Sequence, residues 1–320
     1  MFSIGGKGHV TFASVSSPLT INSQAYMLVN SVTALATAAT SNPTGLFALA
    51  ESDDASQDGV FAGSPINSFS GTFDGLGNSI TRLHIGFSSG HNNVTGLFGQ
   101  IDSATIQHVH LIKIDIHEKQ SNVGGLVGVS YRSFLYQDSV AGSITATNFS
   151  YVGGLVGQNN LSLLSESFAD VAISAGSESV AGGLAGANIG SVVSNSYATG
   201  SIAGTPASVG GLIGAVDCAC CGHCSQVSTS YSTGAVSAQP GGALGGLIGT
   251  LSQTVVSNNY WDTTTSGTDN GVGSGNAESI TGLTTAQLRS GLPVGFDPAI
   301  WTESPIINDG LPYLIDNPPP

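Results

Sequence analysis

Seven consecutive residues, Cys218 to Cys224, contain all four cysteines of the chain and one histidine. The cysteine pairs 218/221 and 221/224 have the spacing of zinc ligands, and thiolates with an imidazole suit zinc or another soft metal. A structural zinc site normally joins two separated pairs, and the second pair is missing. In an oxidising compartment, local disulfides are the plainer alternative. We therefore expect disulfides or simple thiols ahead of a metal site; the candidate metal ligands are Cys218, Cys220, Cys221, His223 and Cys224.

The segment from Arg82 to Lys119 is the second candidate site, because it holds half of the six basic residues of the chain. Residues 79–85 resemble residues 105–111 at an offset of 26. Stacking the two stretches, with Ile80 over Ile106, would put Arg82 beside His108 on the outer surface. Such a group could bind a glycan or a carboxylate, although the outward polar positions of a solvated sheet explain the same pattern more simply. The candidate binding residues are Arg82, His84, His108, His110, Lys113, Asp115 and His117.

Side chains suited to catalysis are sparse in the sequence. Glycoside hydrolysis needs two carboxylates within about 5–10 Å of one another. The acids from Asp74 to Asp262 show no convincing pair that recurs at one position of a repeat. The sequence also has no nucleophile elbow, phosphate-binding loop or HExxH motif. We therefore expect no catalytic residues and no cofactor, and we expect that the protein is not an enzyme.

An internal repeat determines the elements that carry these residues. The pentapeptide GGLVG or a close variant has its central leucine at 97, 126, 155, 184, 212 and 247, so the steps are 29, 29, 29, 28 and 35 residues. An aromatic residue follows the leucine by 13 residues at Phe168, Tyr197 and Tyr260, but by 19 at Tyr231. The long step is therefore a six-residue insertion that contains the cysteines. A fixed period of this kind indicates a repeat architecture.

Each repeat is expected to form short strands. Its two stretches of alternating apolar and polar residues, separated by Gly, Ser, Thr and Asn, are typical of strand, turn and strand. A unit this short buries its apolar face only by stacking on its neighbours, at about 4.8 Å per turn. The repeat therefore predicts an all-β fold, a right-handed single-stranded parallel β-helix of about six or seven coils. Its leucines and its aromatic rings should form two columns, and the paired glycines should occupy sharp corners or close backbone contacts.

The repeat also resembles a known motif. Residues 153–157, GGLVG, and residues 194–200, SNSYATG, are similar to the GLUG motif of filamentous-haemagglutinin-like bacterial secreted proteins. The lead-in at 69–80 and the exit at 260–267 with 282–288 resemble the same group. The resemblance extends from about Leu19 to Leu314, and it implies a secreted, surface-exposed or adhesin-like scaffold. Such a fold does not by itself determine a biochemical activity.

The repeats divide the chain into three predicted parts. Residues 1–68 should form an N-terminal cap, with strands at 10–13 and 19–21 and a helix from Met27 to Ala39. This helix would close the open end of the solenoid and prevent edge-to-edge pairing. Residues 69–262 should form the GLUG-type β-helix. Residues 263–320 should form a C-terminal loop and cap, with a short helix at 285–289 that begins after Thr284.

Composition narrows the functional classes. Charged residues make up 8% of the chain, and the formal net charge is −14, which weighs against binding to nucleic acid or to anionic membranes. No apolar run is long enough to span a membrane, and the N-terminus lacks the apolar core of a signal peptide. The resemblance implies export all the same. We therefore expect an excised piece of a longer precursor, located outside the cell or on a bacterial cell surface.

The expected function is that of a non-catalytic extracellular scaffold or adhesion segment of a larger secreted or surface protein. Its expected partners are host or environmental surface glycans or proteins, and other parts of the same polypeptide. The alternative, by analogy with β-helical lyases and glycosidases, is a carbohydrate-binding or polysaccharide-degrading β-helix protein.

Overall fold

The chain winds into a parallel β-helix of about seven coils. The computed structural model describes residues 8–87, 94–119, 122–148, 150–205, 207–219, 222–238, 240–252, 254–276 and 278–320. A typical coil, such as residues 122–146, contributes one strand to each of four sheets, and strands from successive coils pair in parallel. The predicted β-helix is therefore confirmed.

The sheets are numbered in the order in which a coil visits them. Sheet 1 contains Val94–Thr95, Asn122–Gly124, Tyr151–Gly153, Val180–Gly182, Ser208–Gly210 and Ala243–Gly245. Sheet 2 contains Ile66–Phe69, Phe98–Asp102, Val127–Tyr131, Val156–Asn160, Ala185–Ile189, Ile213–Asp217, Ile248–Leu251 and Val272–Ser274. Sheet 3 contains Leu19–Ile21, Gln24–Val29, Leu46–Leu49, Thr72–Asp74, Thr105–Gln107, Phe134–Tyr136, Leu163–Ser165, Val192–Ser194, Gln226–Ser228 and Val255–Ser257. Sheet 4 contains Asp53–Asp54, Val60–Phe61, Ser79–Thr81, His84–Ile85, His110–Glu118, Ser139–Ala146, Phe168–Ala175, Tyr197–Ala198, Ile202–Gly204, Tyr231–Ser232, Asn259–Asp262 and Ile280–Leu283.

The repeated leucines form the predicted column inside the coil. Leu126, Leu155 and Leu184 are all fully buried in one continuous hydrophobic core. The backbone N–H of Leu126 donates to the carbonyl of Leu155 at 3.1 Å, and that of Leu155 donates to Leu184 at 2.9 Å. Each leucine therefore lies over its equivalent in the next coil, as the 29-residue spacing predicts.

Two columns of polar side chains line the buried corners on either side of sheet 3. In the first, Ser162 Oγ accepts from the backbone N–H of Ser133 at 3.0 Å and donates to the carbonyl of Asn160 at 2.7 Å. Ser191 repeats both contacts one coil later. The second column contains Asp138, Ser167, Ser196, Ser230 and Asn259. Each corner N–H thus finds a partner in the following coil, which removes the penalty of burying it.

The chain turns these corners at single residues of left-handed conformation rather than at the paired glycines. Leu161 has φ 49° between sheets 2 and 3, and Glu166 has φ 48° between sheets 3 and 4. Gly153 and Gly154 have no positive φ. A Cβ at Gly153 would lie 2.0 Å from the Val156 carbonyl oxygen, and one at Gly154 would lie 2.2 Å from that of Gly183. The paired glycines are therefore required by the close approach of backbones, the second of the two predicted reasons.

The N-terminal segment differs from the prediction. Helix α1 spans Val32–Ser41, while Gln24–Val29, which includes Met27, is a strand that pairs with Leu46–Leu49. The helix starts late because Ser31 Oγ accepts from the Ala34 N–H at 3.1 Å and an Asp53 carboxylate oxygen accepts from the Val32 N–H at 2.9 Å. Leu19–Ile21 is a strand, as predicted, but residues 10–13 are not.

The C-terminal segment lies along the side of the coil and covers the aromatic column. The rings of Phe168 and Tyr197 stack at 4.9 Å, and those of Tyr197 and Tyr231 at 5.1 Å. This stack forms its own hydrophobic cluster with Trp301 and Leu314, separate from the main core. We call residues 296–320 the C-terminal strap; it contains the antiparallel pair Trp301–Thr302 and Tyr313–Leu314 and the 3-10 turn Asn308–Gly310.

The strap runs back across several coils. Asn317 Nδ2 donates to the carbonyls of Asp138 and Glu166, at 3.1 and 3.0 Å. Helix α2, Thr285–Leu288, precedes the strap and begins with a capping box formed by Thr284 and Gln287, close to its predicted bounds. A further 3-10 turn spans Ala55–Asp58. The strap therefore covers an apolar stripe on the side of the coil, which a cap at the end of the coil would leave exposed.

The cysteine insertion replaces a single corner residue. Ile189 pairs with Asp217 in sheet 2, and Ser225 occupies the corner column that Ser191 occupies one coil earlier. Between these points one coil has only Gly190, with φ 60°, whereas the other has residues 218–224. The Ser225 hydroxyl still donates to the Asp217 carbonyl. The pairing between coils therefore continues on both sides of the insertion, as the sequence predicts.

Replacing Leu155 by Ala is expected to lower the free energy of unfolding by about 2–5 kcal/mol, because the change leaves a cavity inside a stacked column. Val255→Ala is the control, since Val255 is 61% exposed; its effect should stay within about 0.5 kcal/mol. Urea unfolding followed by circular dichroism measures both. Equal losses in the two variants would contradict the internal column.

Replacing residues 218–224 by one glycine should restore the corner found at Gly190 and leave the free energy of unfolding unchanged within about 0.5 kcal/mol. Melting curves of the parent and the variant, with and without chelator and reductant, provide the measurement. A fall in Tm of the parent that requires both chelator and reductant would mean instead that metal bound by the loop contributes to folding.

Candidate functional site

The predicted stacking of residues 79–85 on residues 105–111 is wrong. Ile80 pairs with Leu111, and Ile106 pairs with Phe73 and Leu135. The similarity at an offset of 26 matches Ile80, in a strand of sheet 4, with Ile106, in a strand of sheet 3. The residues that do pair are 31 positions apart at Ile80 and Leu111. The candidate binding residues therefore separate into several groups instead of forming one basic corner.

Arg82 and His108 have different partners from those predicted. Arg82 forms an ion pair with Asp54, and its Nε lies 2.9 Å from Asp54 Oδ1. This hydrogen bond lowers the pKa of Asp54 to about 2. His108 is a left-handed corner residue that is only 5% exposed, and its Nδ1 lies 3.0 Å from Oδ1 of the buried Asp74. His108 thus has a structural role within a corner, and it does not face outward.

His84, Asp115 and His117 come together on the outer face of sheet 4. Asp115 pairs with His84 across the strands, and His117 is two residues further along the same strand. The Nε2 atoms of His84 and His117 lie 3.7 and 3.1 Å from the two carboxylate oxygens of Asp115. All three side chains are partly exposed. This group is the part of the predicted cluster that the structure assembles.

His110 forms a hydrogen bond with Ser139, its neighbour in the next coil. His110 Nδ1 lies 2.8 Å from Ser139 Oγ. Burial, and secondarily the nearby His108, lower the pKa of His110 to about 4. The pair borders a recess of about 180 Å³ whose other walls include Phe168 and, from the strap, Pro318. The arrangement places a hydroxyl against a neutral imidazole in an apolar pocket, a contact that the sequence alone did not indicate.

A polar groove crosses the outer face of sheet 4 next to the strap. One part lies beside Lys113 and a second part beside Arg289, and the two parts share Asp170 and Thr199. The second part has a volume of about 550 Å³. Its walls also include Thr233, Asp262, Thr265, Thr285 and Asp309, and the apolar Ile306, Ile307, Leu311, Pro319 and Pro320. Lys113 is exposed at a bulge in strand His110–Glu118. The groove is continuous and contains both signs of charge.

The cysteine loop is only partly described. A disulfide joins Cys218 to Cys224, the two ends of the loop, which fits the disulfide alternative. The bonded sulfurs are not thiolate ligands in this state. His223 is exposed, and Cys220 and Cys221 lie outside the described residues. Whether the loop binds a metal stays a prediction.

One coil carries a recognised motif. Residues 177–203 match the family model described as the GLUG motif. This match confirms the GLUG-type repeat but not a filamentous-haemagglutinin-like family. A comparison with curated protein sequences finds no match. Among the described residues, no helix is long and apolar enough to cross a membrane.

Two solved structures share the fold. The first is a Bacteroides ovatus protein provisionally named an immunoglobulin A1 protease, with a TM-score of 0.67 and 17% identity, over 91% of this chain and 93% of that one. The second, named IgA1 protease, has a TM-score of 0.59 and 22% identity, over 80% of this chain but only 21% of that one.

The likeness corrects one expectation. Both structures carry the name of a protease, so the expectation that a chain of this fold is not an enzyme no longer stands. At these identities, the likeness itself establishes the architecture alone. The chain is thus a parallel β-helix that contains a GLUG motif, and its wider family remains an expectation.

Proposed function

We propose that this chain is a β-helix module of a larger secreted or surface protein and that it binds a glycan along the groove beside the strap. The continuous groove that joins Lys113 to Arg289 through Asp170 carries this proposal. The chain matches only 21% of the longer neighbour, which supports a modular role. The low content of charged residues and the resemblance of the repeat to that of secreted bacterial proteins support an extracellular location.

The groove has the chemistry that sugar recognition needs. Asp170 and Arg289 can each form paired, charge-assisted hydrogen bonds with neighbouring hydroxyls. Thr199 and Thr233 add hydroxyl groups that donate or accept. On the strap side, apolar residues such as Ile306 can cover the less polar face of a sugar ring. A mixed lining of this kind favours a neutral or weakly charged sugar over a polyanion.

The length of the groove suits an extended polymer. Residue 141 pairs with Asp170 in the next coil, Thr199 and Thr233 follow in the two coils after that, and Thr265 Oγ1 donates to the Thr233 carbonyl. Five successive strands at about 4.8 Å each give a groove of roughly 20 Å. Because the coils hold these residues in fixed register, little side-chain ordering is needed upon binding.

A glycan array followed by titration of the best ligand tests this proposal. We expect Asp170→Asn to weaken binding about 10- to 100-fold, because it removes a charge-assisted hydrogen bond. Asp269→Asn is the matched control, since Asp269 is exposed and does not border the groove. Equal affinity of the two variants, or no saturable binding to any glycan, would contradict the proposal.

A hydrolytic activity is the second candidate function, and the contact between His110 and Ser139 favours it. A neutral imidazole that accepts a hydrogen bond from a serine hydroxyl can take its proton when the oxygen attacks a carbonyl. The lowered pKa keeps His110 neutral at pH 7. The recess next to the pair would admit a small apolar side chain of a substrate.

Ser139→Ala and His110→Gln are expected to abolish any esterase or peptidase activity of the chain and its labelling by a fluorophosphonate. Ser79→Ala is the control: Ser79 pairs with His110 across the strands, on the side opposite Ser139, but among the described contacts its hydroxyl bonds to Ser52 and not to His110. The wild-type rate should fall on the acid side near pH 4, where His110 becomes protonated, rather than near an ordinary histidine pKa of about 6.5. Activity that survives in Ser139→Ala would exclude this pair.

A further inference from the structure

We propose that His84, Asp115 and His117 form a zinc site on the outer face of sheet 4, with two imidazole ligands and one carboxylate. The site is independent of the glycan groove, whose lining does not include these residues. It also lies outside the cysteine loop, where the sequence placed the candidate metal ligands.

The β-helix itself brings the three side chains together. Strand His110–Glu118 alternates inward and outward residues, so that Ile114 and Ile116 are buried while Asp115 and His117 face out. Pairing with strand His84–Ile85 then places His84 directly across from Asp115. Both strands lie in the rigid stack of coils, so the ligands are held by regular secondary structure rather than by a loop.

The distances fit tetrahedral coordination. Zinc bonds of about 2.0–2.2 Å to nitrogen and oxygen separate any two ligand atoms of a tetrahedron by roughly 3.3–3.6 Å. Here the Nε2 atom of His84 lies 3.7 Å from Asp115 Oδ2, and that of His117 lies 3.1 Å from the other oxygen, Asp115 Oδ1. One ligand atom from each of the three residues lies within 4.8 Å of the other two. Small side-chain rotations are therefore enough to centre an ion among them.

Neighbouring residues hold the ligands in place. Ser143 Oγ donates to Asp115 Oδ1 at 3.0 Å, an outer hydrogen bond of the kind that orients metal-binding carboxylates. The Phe87 ring packs 5.9 Å from the His117 ring and limits its rotation. Lys119 lies over the Phe87 ring at 5.4 Å, where the aromatic face attracts it. These contacts thus hold the two histidines and the carboxylate that they share in position before a metal ion binds.

Three protein ligands leave the fourth position of zinc open. Sites of this composition keep a water or a group from a bound molecule in that position. Because the three side chains are between a third and a half exposed, a partner can reach the ion. The fourth position of the zinc ion can therefore hold either a water molecule or an imidazole or carboxylate of a second macromolecule.

Isothermal titration of the whole chain with zinc chloride tests the site. To separate it from the loop thiols, the titration is performed on wild type and on a Cys220→Ser, Cys221→Ser background. We expect one zinc ion per chain in that background, with binding lost in His84→Gln and in Asp115→Asn. Ser143→Ala should weaken binding about 10- to 100-fold, as loss of an outer hydrogen bond does.

His223→Gln is the matched control, because His223 is exposed but lies in the cysteine loop; it should retain full affinity. Cobalt provides a second measurement, since a tetrahedral ion gives a visible absorption that His84→Gln should remove. Circular dichroism of each variant checks that the fold is intact. Zinc binding that persists in His84→Gln, or that is lost in His223→Gln, would overturn the assignment.

Discussion

The hydrogen bond from a buried corner N–H to a side chain of the following coil is the interaction on which this structure depends. The strands of a β-helix pair through their backbones, but at the corners a buried N–H, such as that of Ser133 or Ser162, bonds to a side chain instead of a carbonyl. An unpaired N–H at such a place costs about 1–3 kcal/mol. Ser162 and Ser167 remove that cost in one coil, and their equivalents do so along the stack. Short hydroxyl side chains are suited to this position because they accept from the neighbouring coil and donate to the carbonyl two residues back.

The candidate sites gather on sheet 4 for a physical reason. It contains the three longest strands of the described residues, His110–Glu118, Ser139–Ala146 and Phe168–Ala175, and each of these presents several outward side chains. The strap covers the aromatic stripe, where Trp301 packs on Tyr197 and Tyr231. The polar stripe beside it stays open, and the strap becomes one wall of the groove. The same segment thus protects an apolar surface and shapes a polar one.

The period of the sequence predicts the architecture, because a residue that recurs every 29 positions must meet its own copy. Leu126 and Leu155 show this, and so does the stacking of Phe168 on Tyr197. The period says nothing about a coil of different length. In the first coils the spacing is 33 residues from Phe73 to Ile106 and 31 from Ile80 to Leu111, so a local similarity around Ile80 was matched to a strand of the wrong sheet. The alternation of apolar and polar residues indicates which side chains of a strand face outward, but it does not give the number of residues in a corner.

The candidate sites were less predictable for a related reason. His84 and Asp115 were both identified as polar residues of interest, yet their contact depends on a register that only the structure supplies. By contrast, His110 and Ser139 are 29 positions apart, so the period itself could have placed them together, in the column that holds aromatic rings in later coils. His108 was misjudged because a corner residue can be polar and buried together, provided that a partner such as Asp74 is present.

The corner between sheets 2 and 3 has a consequence for how such chains diversify. The bond between the Ser225 hydroxyl and the Asp217 carbonyl forms across seven intervening residues as readily as the equivalent bond of Ser191 forms across one. The number of residues in this corner can therefore change without altering how the coils stack. Equivalent corners at Ser103, Arg132 and Leu161 lie in neighbouring coils, only about 4.8 Å apart. Loops of different length can therefore be inserted along this row of corners. New binding surfaces can evolve there while the stacked coils stay the same.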